Sequence, residues 1–208
     1  NFGTKLVGQV VSEPYVNPNN LDKHLTFKQF CYDAVRNFVT TQKRQNWQHE
    51  PDRIKEIEND QLFTKITSMW FVNQKPGEYN PIHVHTGCKI SAIAYLKTPK
   101  FQEKGRKEHY DTDGKLSFTN NTGADFHWTN DIAHFSPVAG DFYIFGALQQ
   151  HMVWPYRSSD PDDSRVSLSF NAEVTTQQAK EKEKKNQEIM YENMKKMKES
   201  ENDKSVTD

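Results

Sequence analysis

Residues 165–171, Arg165-Val166-Ser167-Leu168-Ser169-Phe170-Asn171, alternate strictly between two kinds of side chain. In an extended strand, the three apolar residues fall on one face, and the arginine and the two serines fall on the other. If the apolar face packs against helices, Arg165 faces the interior of the protein. A guanidinium there needs an anion, because an uncompensated buried charge costs several kcal/mol.

Two partners for Arg165 stay open at this stage. A metal-bound dicarboxylate would supply the anion, since the planar guanidinium matches a carboxylate, and Ser167 would add a hydroxyl. The alternative is an internal ion pair with Asp162 or Asp163, which are close in sequence but lie on a turn.

Short strand-like runs alternate with turn signals on both sides of this stretch, as is typical of a sandwich or barrel. The predicted strands cover residues 68–73, 89–97, 115–119, 132–135, 141–145, 152–156 and 165–174. Upstream, Thr26 begins a predicted amphipathic helix, with Gln29 three residues later as in a capping box. A second helix is predicted from Leu62, passing into the first strand near Ser68.

The 208 residues fit one domain with appendages. We expect an N-terminal strand and support helices over residues 1–67, a β core over 68–174 and a charged C-terminal helix or tail over 175–208. Met190, Met194 and Met197 fall on one helical face of that tail, which predicts a surface for weak packing or self-association.

The charge balance disfavours nucleic acid as a partner. The chain has 27 Lys and Arg against 28 Asp and Glu, a net charge of -1, so no global basic field exists to hold phosphates. No apolar window approaches the roughly 18 residues of a membrane helix. With only Cys31 and Cys88 as cysteines, we expect a soluble cytoplasmic protein, although residues can be missing before Asn1.

Three histidines predict a metal site. His83 and His85 flank Val84 at a predicted strand end, where alternation points both imidazoles to one face. Such a pair alone is as often two surface or hydrogen-bonded histidines without a metal role as it is half of a metal site. The return of His151 on a later strand, after a tight turn and an apolar run, favours a metal.

Taken in order, these motifs resemble those of the iron(II)/2-oxoglutarate-dependent dioxygenases. The matching stretches are His83-Val84-His85, Ser91–Leu96, Ala139-Gly140-Asp141 with Phe145, His151 with Pro155-Tyr156, and Arg165–Asn171. The similarity is greatest to their small bacterial and phage branch, is more distant to prolyl hydroxylases, and covers about residues 68–174. It implies a mainly β protein with N-terminal helices and a double-stranded β-helix, or jelly-roll, core.

The resemblance also implies a function and a site. Fe(II), 2-oxoglutarate and O2 would be the cofactors, and an unidentified substrate would be hydroxylated with release of succinate and carbon dioxide. Carried over by position, His83 and His151 ligate the iron, and Arg165 anchors the distal carboxylate of 2-oxoglutarate. Tyr95 falls at a cosubstrate-binding position, and Ser167 falls where a helper hydroxyl often lies.

One position departs from the family pattern, because His85 stands where a carboxylate ligand belongs. His85 itself can ligate in a three-histidine site, which we favour because geometry aims it at the metal. Alternatively, Asp111, Asp113 or Asp125 supplies the carboxylate. In a third interpretation the site does not sustain catalysis, and the domain is a noncatalytic binding or structural module.

A second resemblance leads to a competing hypothesis. Gly77, five residues and then His83-Val84-His85 resemble the opening motif of cupins, which share the fold and often bind metal without 2-oxoglutarate. However, residues 89 and 90 include no glutamate, His151 follows Gly140 too distantly, and cupins do not explain Arg165. We favour the dioxygenase, and the substrate stays open among peptidyl side chains, free amino acids, nucleobases and other small molecules.

Overall fold

The computed structural model describes residues 7–59, 61–101, 112–119 and 132–205. Its strands are β1 (Tyr15–Val16), β2 (Leu62–Gln74), β3 (Asn80–His83), β4 (Ile90–Lys97), β5 (Leu116–Thr119), β6 (Ile132–Phe135), β7 (Phe142–Gly146), β8 (Gln150–Val153) and β9 (Arg165–Thr176). Its helices are a short 3-10 helix (Pro18–Lys23), α1 (Leu25–Asn46), α2 (Pro51–Asn59) and α3 (Gln177–Ser205). The chain divides into two compact units, residues 1–39 with 64–173 and residues 40–63 with 174–208.

The strands form two sheets. One has the order β1-β2-β9-β4-β7 and the other the order β3-β8-β5-β6. The chain passes between them at β2 to β3, β3 to β4, β4 to β5, β6 to β7, β7 to β8 and β8 to β9. The neighbours β4–β7, β4–β9, β3–β8, β5–β6 and β5–β8 are antiparallel. This arrangement is a double-stranded β-helix and confirms the predicted jelly-roll fold.

The pair β4–β9 sets which side chains face the interior. Ile93 lies opposite Ser169 and Tyr95 opposite Ser167, and directly opposed residues share one face of a sheet. These four side chains are buried. Since Arg165 is two residues before Ser167, the alternation places it on the same face.

The other face of this sheet is covered by aromatic packing. The ring of Phe142 lies 6.2 Å from that of Phe170 and meets the ring of Phe30, on α1, edge-on at 4.9 Å. Cys31 and Val35 of α1 are fully buried. The helix therefore covers the apolar face of β9, as the alternation predicts.

The predicted capping box at the start of α1 is wrong. The helix begins at Leu25, and Lys28 N donates to the carbonyl of His24. Gln29 lies inside the first turns and donates through Nε2 to Asp33 Oδ1 at 2.9 Å. The preceding 3-10 helix leads directly into α1, because His24 N already donates to the carbonyl of Leu21. No capping residue is therefore needed at Thr26.

Two of the predicted strand boundaries also need correction. The helix expected from Leu62 is instead the first half of β2, because pairing within the sheet outweighs a short helical periodicity in a segment rich in aromatic and β-branched residues. Strand β8 ends at Val153 rather than residue 156, and Pro155, which lacks an N–H, follows two residues later. Strand β3 agrees with the strand end predicted at His83, although its starting residue was not predicted.

The second unit has its own polar and aromatic contacts. Arg44 pairs with Glu58 at 2.8 Å, and Arg53 lies 5.0 Å from the ring centre of Trp47. On α3, Met190 is 61% and Met194 49% exposed; the side chain of Met197 lies outside the described residues, so self-association stays a prediction. None of the described helices has an apolar stretch long enough to cross a bilayer.

The core of the first unit is a cluster of buried apolar side chains. Its members are Ile93, Tyr95, Leu116, Phe145 and Val153, with Phe118 and Tyr143 packed against it. Leu116 is fully buried, so its loss leaves a cavity between the two sheets.

We expect Leu116→Ala to lower the free energy of unfolding by about 2 to 5 kcal/mol, because the transfer and cavity costs add. Chemical denaturation measures this. The matched control is Leu148→Ala, since Leu148 is 77% exposed and its truncation should change stability by less than about 0.5 kcal/mol. Equal losses in the two variants would contradict the proposed core.

Candidate metal centre

Strands β3 and β8 bring two of the histidines together. His83 lies directly opposite His151, after a register shift between Asn80 and His83. His85 follows just beyond the end of β3, where its backbone N–H donates to the carbonyl of Ala147 at 2.8 Å. Three histidines from two distant parts of the sequence therefore meet at the edge strand β3 and its neighbour β8.

The ring nitrogens of His83, His85 and His151 have the spacing of a metal site. One nitrogen from each lies within 4.8 Å of the others, and the two Nε2 atoms of His85 and His151 are 3.3 Å apart. Two nitrogens that bind one ion at about 2.1 Å and a right angle are about 3 Å apart. The donor set suits a borderline divalent metal such as iron(II).

Backbone carbonyls orient two of these rings. His83 Nδ1 lies 2.7 Å from the carbonyl oxygen of Pro81, and His151 Nδ1 lies 2.9 Å from that of Gln149. A carbonyl only accepts, so Nδ1 carries the hydrogen in both rings. The lone pair of each ring is then on Nε2, as in typical metal-ligating histidines.

All three imidazoles resist protonation. Burial lowers the pKa of His83, with the carbonyl of Pro81 opposing it. Burial, followed by the charge on His83, lowers the pKa of His85 to about 4 and that of His151 to about 3. The rings are therefore neutral near pH 7, and neutral imidazole is the form that binds metal.

None of the predicted alternative carboxylates is seen at this site. Asp113 Oδ2 lies 2.9 Å from Arg157 Nε in an ion pair. Asp111 and Asp125 lie outside the described residues. Among the residues that the structure describes, the cluster consists of three histidines without an acidic ligand.

Arg165 is buried, with 2% of its surface exposed. Its NH1 donates to the carbonyl oxygen of Gly114 and its NH2 to Oε1 of Gln74. The guanidinium carbon lies 5.7 Å from the ring centre of Tyr95 and 5.8 Å from that of Tyr156. Burial lowers the pKa of this guanidinium, so its surroundings favour an anionic neighbour.

The predicted internal ion pair of Arg165 is not formed. Asp162 Oδ1 lies 3.8 Å from Lys75 Nζ, and Asp163 Oδ1 lies 3.4 Å from Lys97 Nζ. Within the described part of the chain, the guanidinium contacts neutral acceptors and aromatic rings, and no carboxylate pairs with it.

The predicted cosubstrate residues form a second group beside the histidines. Tyr95 and Ser167 are opposed on β4 and β9 and are buried near Arg165. Burial raises the pKa of Tyr95, so its hydroxyl stays protonated. The apolar cluster that contains Tyr95 also contains Phe145, whose ring centre is 4.6 Å from that of His151. This cluster therefore touches both groups.

A cavity of about 450 Å³ opens beside the three imidazoles. Its wall includes all three histidines, together with Ile93 and Val153 of the apolar cluster. Arg165, Tyr95 and Ser167 are not among the described residues that line it. The structure thus brings the histidines together in one cavity, and the arginine is not among the described residues of its lining.

Two residues of this region were missed from the sequence. Gln74 receives a hydrogen bond from Arg165 and donates through Nε2 to the carbonyl of Glu78. Glu13 lines the cavity with the histidines and is 1% exposed. Neither residue belongs to a motif, and both reach the site only through tertiary contacts.

Comparisons with known proteins agree with the motif analysis on the family. Residues 68–171, which are 104 of the 208 residues, match a family described as "Putative 2OG-Fe(II) oxygenase". No curated protein matches the chain.

The solved structures to which the chain is similar include oxygenases and cupins. An oxidoreductase of the 2OG-Fe(II) oxygenase family from Burkholderia pseudomallei is 13% identical, with a TM-score of 0.40, over 53% of this chain and 43% of that one. A Pseudomonas putida prolyl-4-hydroxylase is 18% identical, with a TM-score of 0.41, over 76% and 66%. A cupin domain from Bordetella pertussis is 12% identical, with a TM-score of 0.30, over 55% and 93%. The chain thus spans less than two thirds of either oxygenase.

The buried carboxyl of Glu13 generates a prediction about pH. Burial, followed by repulsion from Glu78, raises the pKa of Glu13 from 4.5 to about 7. The folded protein then holds a proton that the unfolded chain releases above about pH 4.5. The stability that this proton contributes is complete below pH 4.5 and is lost as the pH rises to about 7.

Glu13→Gln removes this titration, so the variant should gain stability relative to the wild type, by about 1 to 3 kcal/mol, between pH 4.5 and 7.5. Urea denaturation of both proteins across that range measures the difference. Glu188→Gln, on the exposed surface of α3, should follow the wild-type profile. Parallel profiles for Glu13→Gln and the wild type would show that the carboxyl titrates normally.

Proposed function

Because this chain belongs to the 2OG-Fe(II) oxygenase family, we propose that it is an iron(II)- and 2-oxoglutarate-dependent dioxygenase acting on a still unidentified substrate. The observation that carries the proposal is the convergence of one nitrogen each from His83, His85 and His151 within 4.8 Å. These residues would hold the metal. When bound, iron(II) with 2-oxoglutarate and O2 supplies the oxidising chemistry, with succinate and carbon dioxide as the cosubstrate products.

The imidazoles have a well-defined part in this proposal. Their lowered pKa values keep them neutral, and the carbonyls of Pro81 and Gln149 hold two of the rings with Nε2 toward the ion. Three neutral ligands leave the full charge of +2 on the metal. That charge strengthens the attraction of a dianionic cosubstrate compared with a site that includes a carboxylate.

Arg165 would bind the distal carboxylate of the cosubstrate. The support is its burial without an acidic partner in the described part of the chain, since a desolvated guanidinium gains most from an ion pair. Gln74 and the carbonyl of Gly114 would hold its planar fork in place. Tyr95 and Ser167, beside it, would donate hydroxyl hydrogen bonds to the same ligand.

The apolar cluster between the two groups would exclude water. Ile93, Leu116, Phe145 and Val153 are all less than 8% exposed. A five-carbon dicarboxylate that reaches from the imidazoles to Arg165 would contact these side chains. A dry wall of this kind strengthens the electrostatic interactions at both ends of the ligand.

One observation favours a second candidate function. The described cluster holds three histidines, and a cupin-like metalloprotein that does not use 2-oxoglutarate also binds its metal through three histidines, although the glutamate of the cupin motif is missing here. The two candidates differ in whether 2-oxoglutarate binds and turns over. We propose the cytoplasm as the location for either, in keeping with the two free cysteines, Cys31 and Cys88.

The direct test is succinate formation. Protein reconstituted anaerobically with Fe(II) and 2-oxoglutarate should release succinate after O2 is admitted, and His83→Ala should lower the rate by at least about 100-fold because the metal loses a ligand. His24→Ala, on the surface, is the matched control and should retain full activity.

The variant His85→Asp separates the roles of the third ligand. If three imidazoles are the working set, this variant should lose turnover; if it gains turnover, the histidine is a handicap. Succinate production equal in the wild type and His83→Ala would refute the proposed oxygenase.

Binding of 2-oxoglutarate tests Arg165. With Mn(II) bound, 2-oxoglutarate should raise the melting temperature of the wild type, and the shift should require the metal. Arg165→Lys keeps the charge but loses the planar fork, so the affinity for 2-oxoglutarate should fall by about 10-fold or more. Lys75→Arg, a surface exchange, should leave it unchanged. Stabilisation by metal alone, with no effect of 2-oxoglutarate, would favour the cupin-like alternative.

A further inference from the structure

The cavity beside the histidines is closed on one side by the segment before the 3-10 helix. Val7, Gly8 and Glu13 of this segment lie on the cavity wall with the imidazoles. No step of the proposed oxygenase chemistry uses them. They are therefore candidates for contact with the substrate itself.

The backbone of this segment is fixed to strands β2 and β3. Gln9 N donates to the carbonyl of Tyr79 at 2.8 Å, and Asn73 N donates to the carbonyl of Ser12 at 2.9 Å. A Cβ at Gly8 would overlap the terminal amide of Asn80 in its present conformation, so the segment lies close against β3. These contacts determine where Glu13 lies.

Glu13 gives the cavity an acidic character. It is the one acidic residue among the described residues that line the cavity, and none of these is lysine or arginine. The other polar groups on the wall, such as Ser68, Asn80 and Asn171, are neutral. Burial, and after it repulsion from Glu78, disfavours a negative charge on Glu13, and a cationic ligand would offset both effects.

Trp70 provides a second feature suited to a cation. It lines the same cavity, is 3% exposed, and its ring centre lies 6.0 Å from that of His85. The face of an indole attracts an organic cation by about 0.5 to 2 kcal/mol, most strongly where water is excluded. A carboxylate and an indole on one cavity wall are a common pair of contacts for an alkylammonium or guanidinium group.

Resting on the proposed function, we infer that the cavity binds a substrate carrying an organic cation, an alkylammonium or guanidinium group, with Glu13 and Trp70 as its contacts. The volume of about 450 Å³ lies within the range of about 300 to 1,000 Å³ that is usual for small-molecule sites. The cationic group would be held at Glu13, and the attached alkyl chain would extend toward the histidines.

The test compares a cation with its neutral analogue. Wild-type protein loaded anaerobically with Mn(II) and 2-oxoglutarate is titrated with n-butylammonium, N-butylguanidinium and n-butanol, and binding is measured by calorimetry and by the shift in melting temperature. At least one of the two cations should bind about 10-fold more tightly than butanol or better, since one partly desolvated charge contact is worth about 1.4 kcal/mol or more. No preference for either cation in the wild type would overturn the inference.

Variants identify the contact. Glu13→Gln should reduce the preference to less than about threefold, and Glu13→Asp, which keeps the charge, should retain part of it. The matched control is Glu78→Gln, because Glu78 lies near Glu13 but is not among the cavity-lining residues; it should preserve the preference. A preference that survives Glu13→Gln would overturn the inference, as would a loss of Mn(II) binding in that variant, which would assign Glu13 to the metal.

Succinate formation by the wild type, measured without the butyl probes, distinguishes a failure of the substrate inference from a failure of the proposed oxygenase function. If succinate forms but neither cation is preferred, the inference about the substrate fails alone. If a cation is preferred but no succinate forms, the proposed oxygenase function fails and the cation site stands.

Discussion

The direct pairing of His83 with His151 across β3 and β8 is the constraint on which the metal centre depends. Because side chains alternate along a strand, a slip of one residue would turn one imidazole away from the other. The register shift between Asn80 and His83 sets the pairing. The ladder of β8 with β5, in which His151 lies opposite Phe118, then fixes β8 itself. The four-stranded sheet thus positions two of the three imidazoles before any ion binds.

Arg165 shows how the protein keeps a buried charge without an acidic partner in its described part. Neutral acceptors, Gln74 and the carbonyl of Gly114, satisfy its donors, and two tyrosine rings lie near the guanidinium. Gly114 has a φ of +66°, and a Cβ there would overlap the ring of Phe101. A glycine is therefore required at the position that presents this carbonyl.

Much of the core could be predicted from the sequence because its signals are local. Strict alternation in residues 165–171 identified β9 and the inward arginine, and the family inferred from the ordered motifs is confirmed by the match over residues 68–171. The three histidines were found because metal ligands are limited to few residue types. Their ligand roles, and those of Arg165, Tyr95 and Ser167, remain predictions.

The features that were missed depend on distant contacts. Glu13 and Gln74 carry no motif, and only the folded backbone brings them to the cavity and to the arginine. The first half of β2 has an apolar spacing that suits a helix, but its neighbours in the sheet decide its conformation. The absence of the arginine from the described lining of the histidine cavity is likewise a property of packing, which periodicity does not report.

The segment of residues 7–13 lines the cavity from outside the two sheets, fastened by the isolated bridges Gln9–Tyr79 and Ser12–Asn73. The residues proposed to hold the ion and the residues proposed to contact the substrate therefore belong to different pieces of the chain. Such modularity lets evolution exchange the recognition element while the reactive centre is inherited intact. The same division gives protein engineers a short segment, residues 7–13, whose replacement can change substrate selectivity.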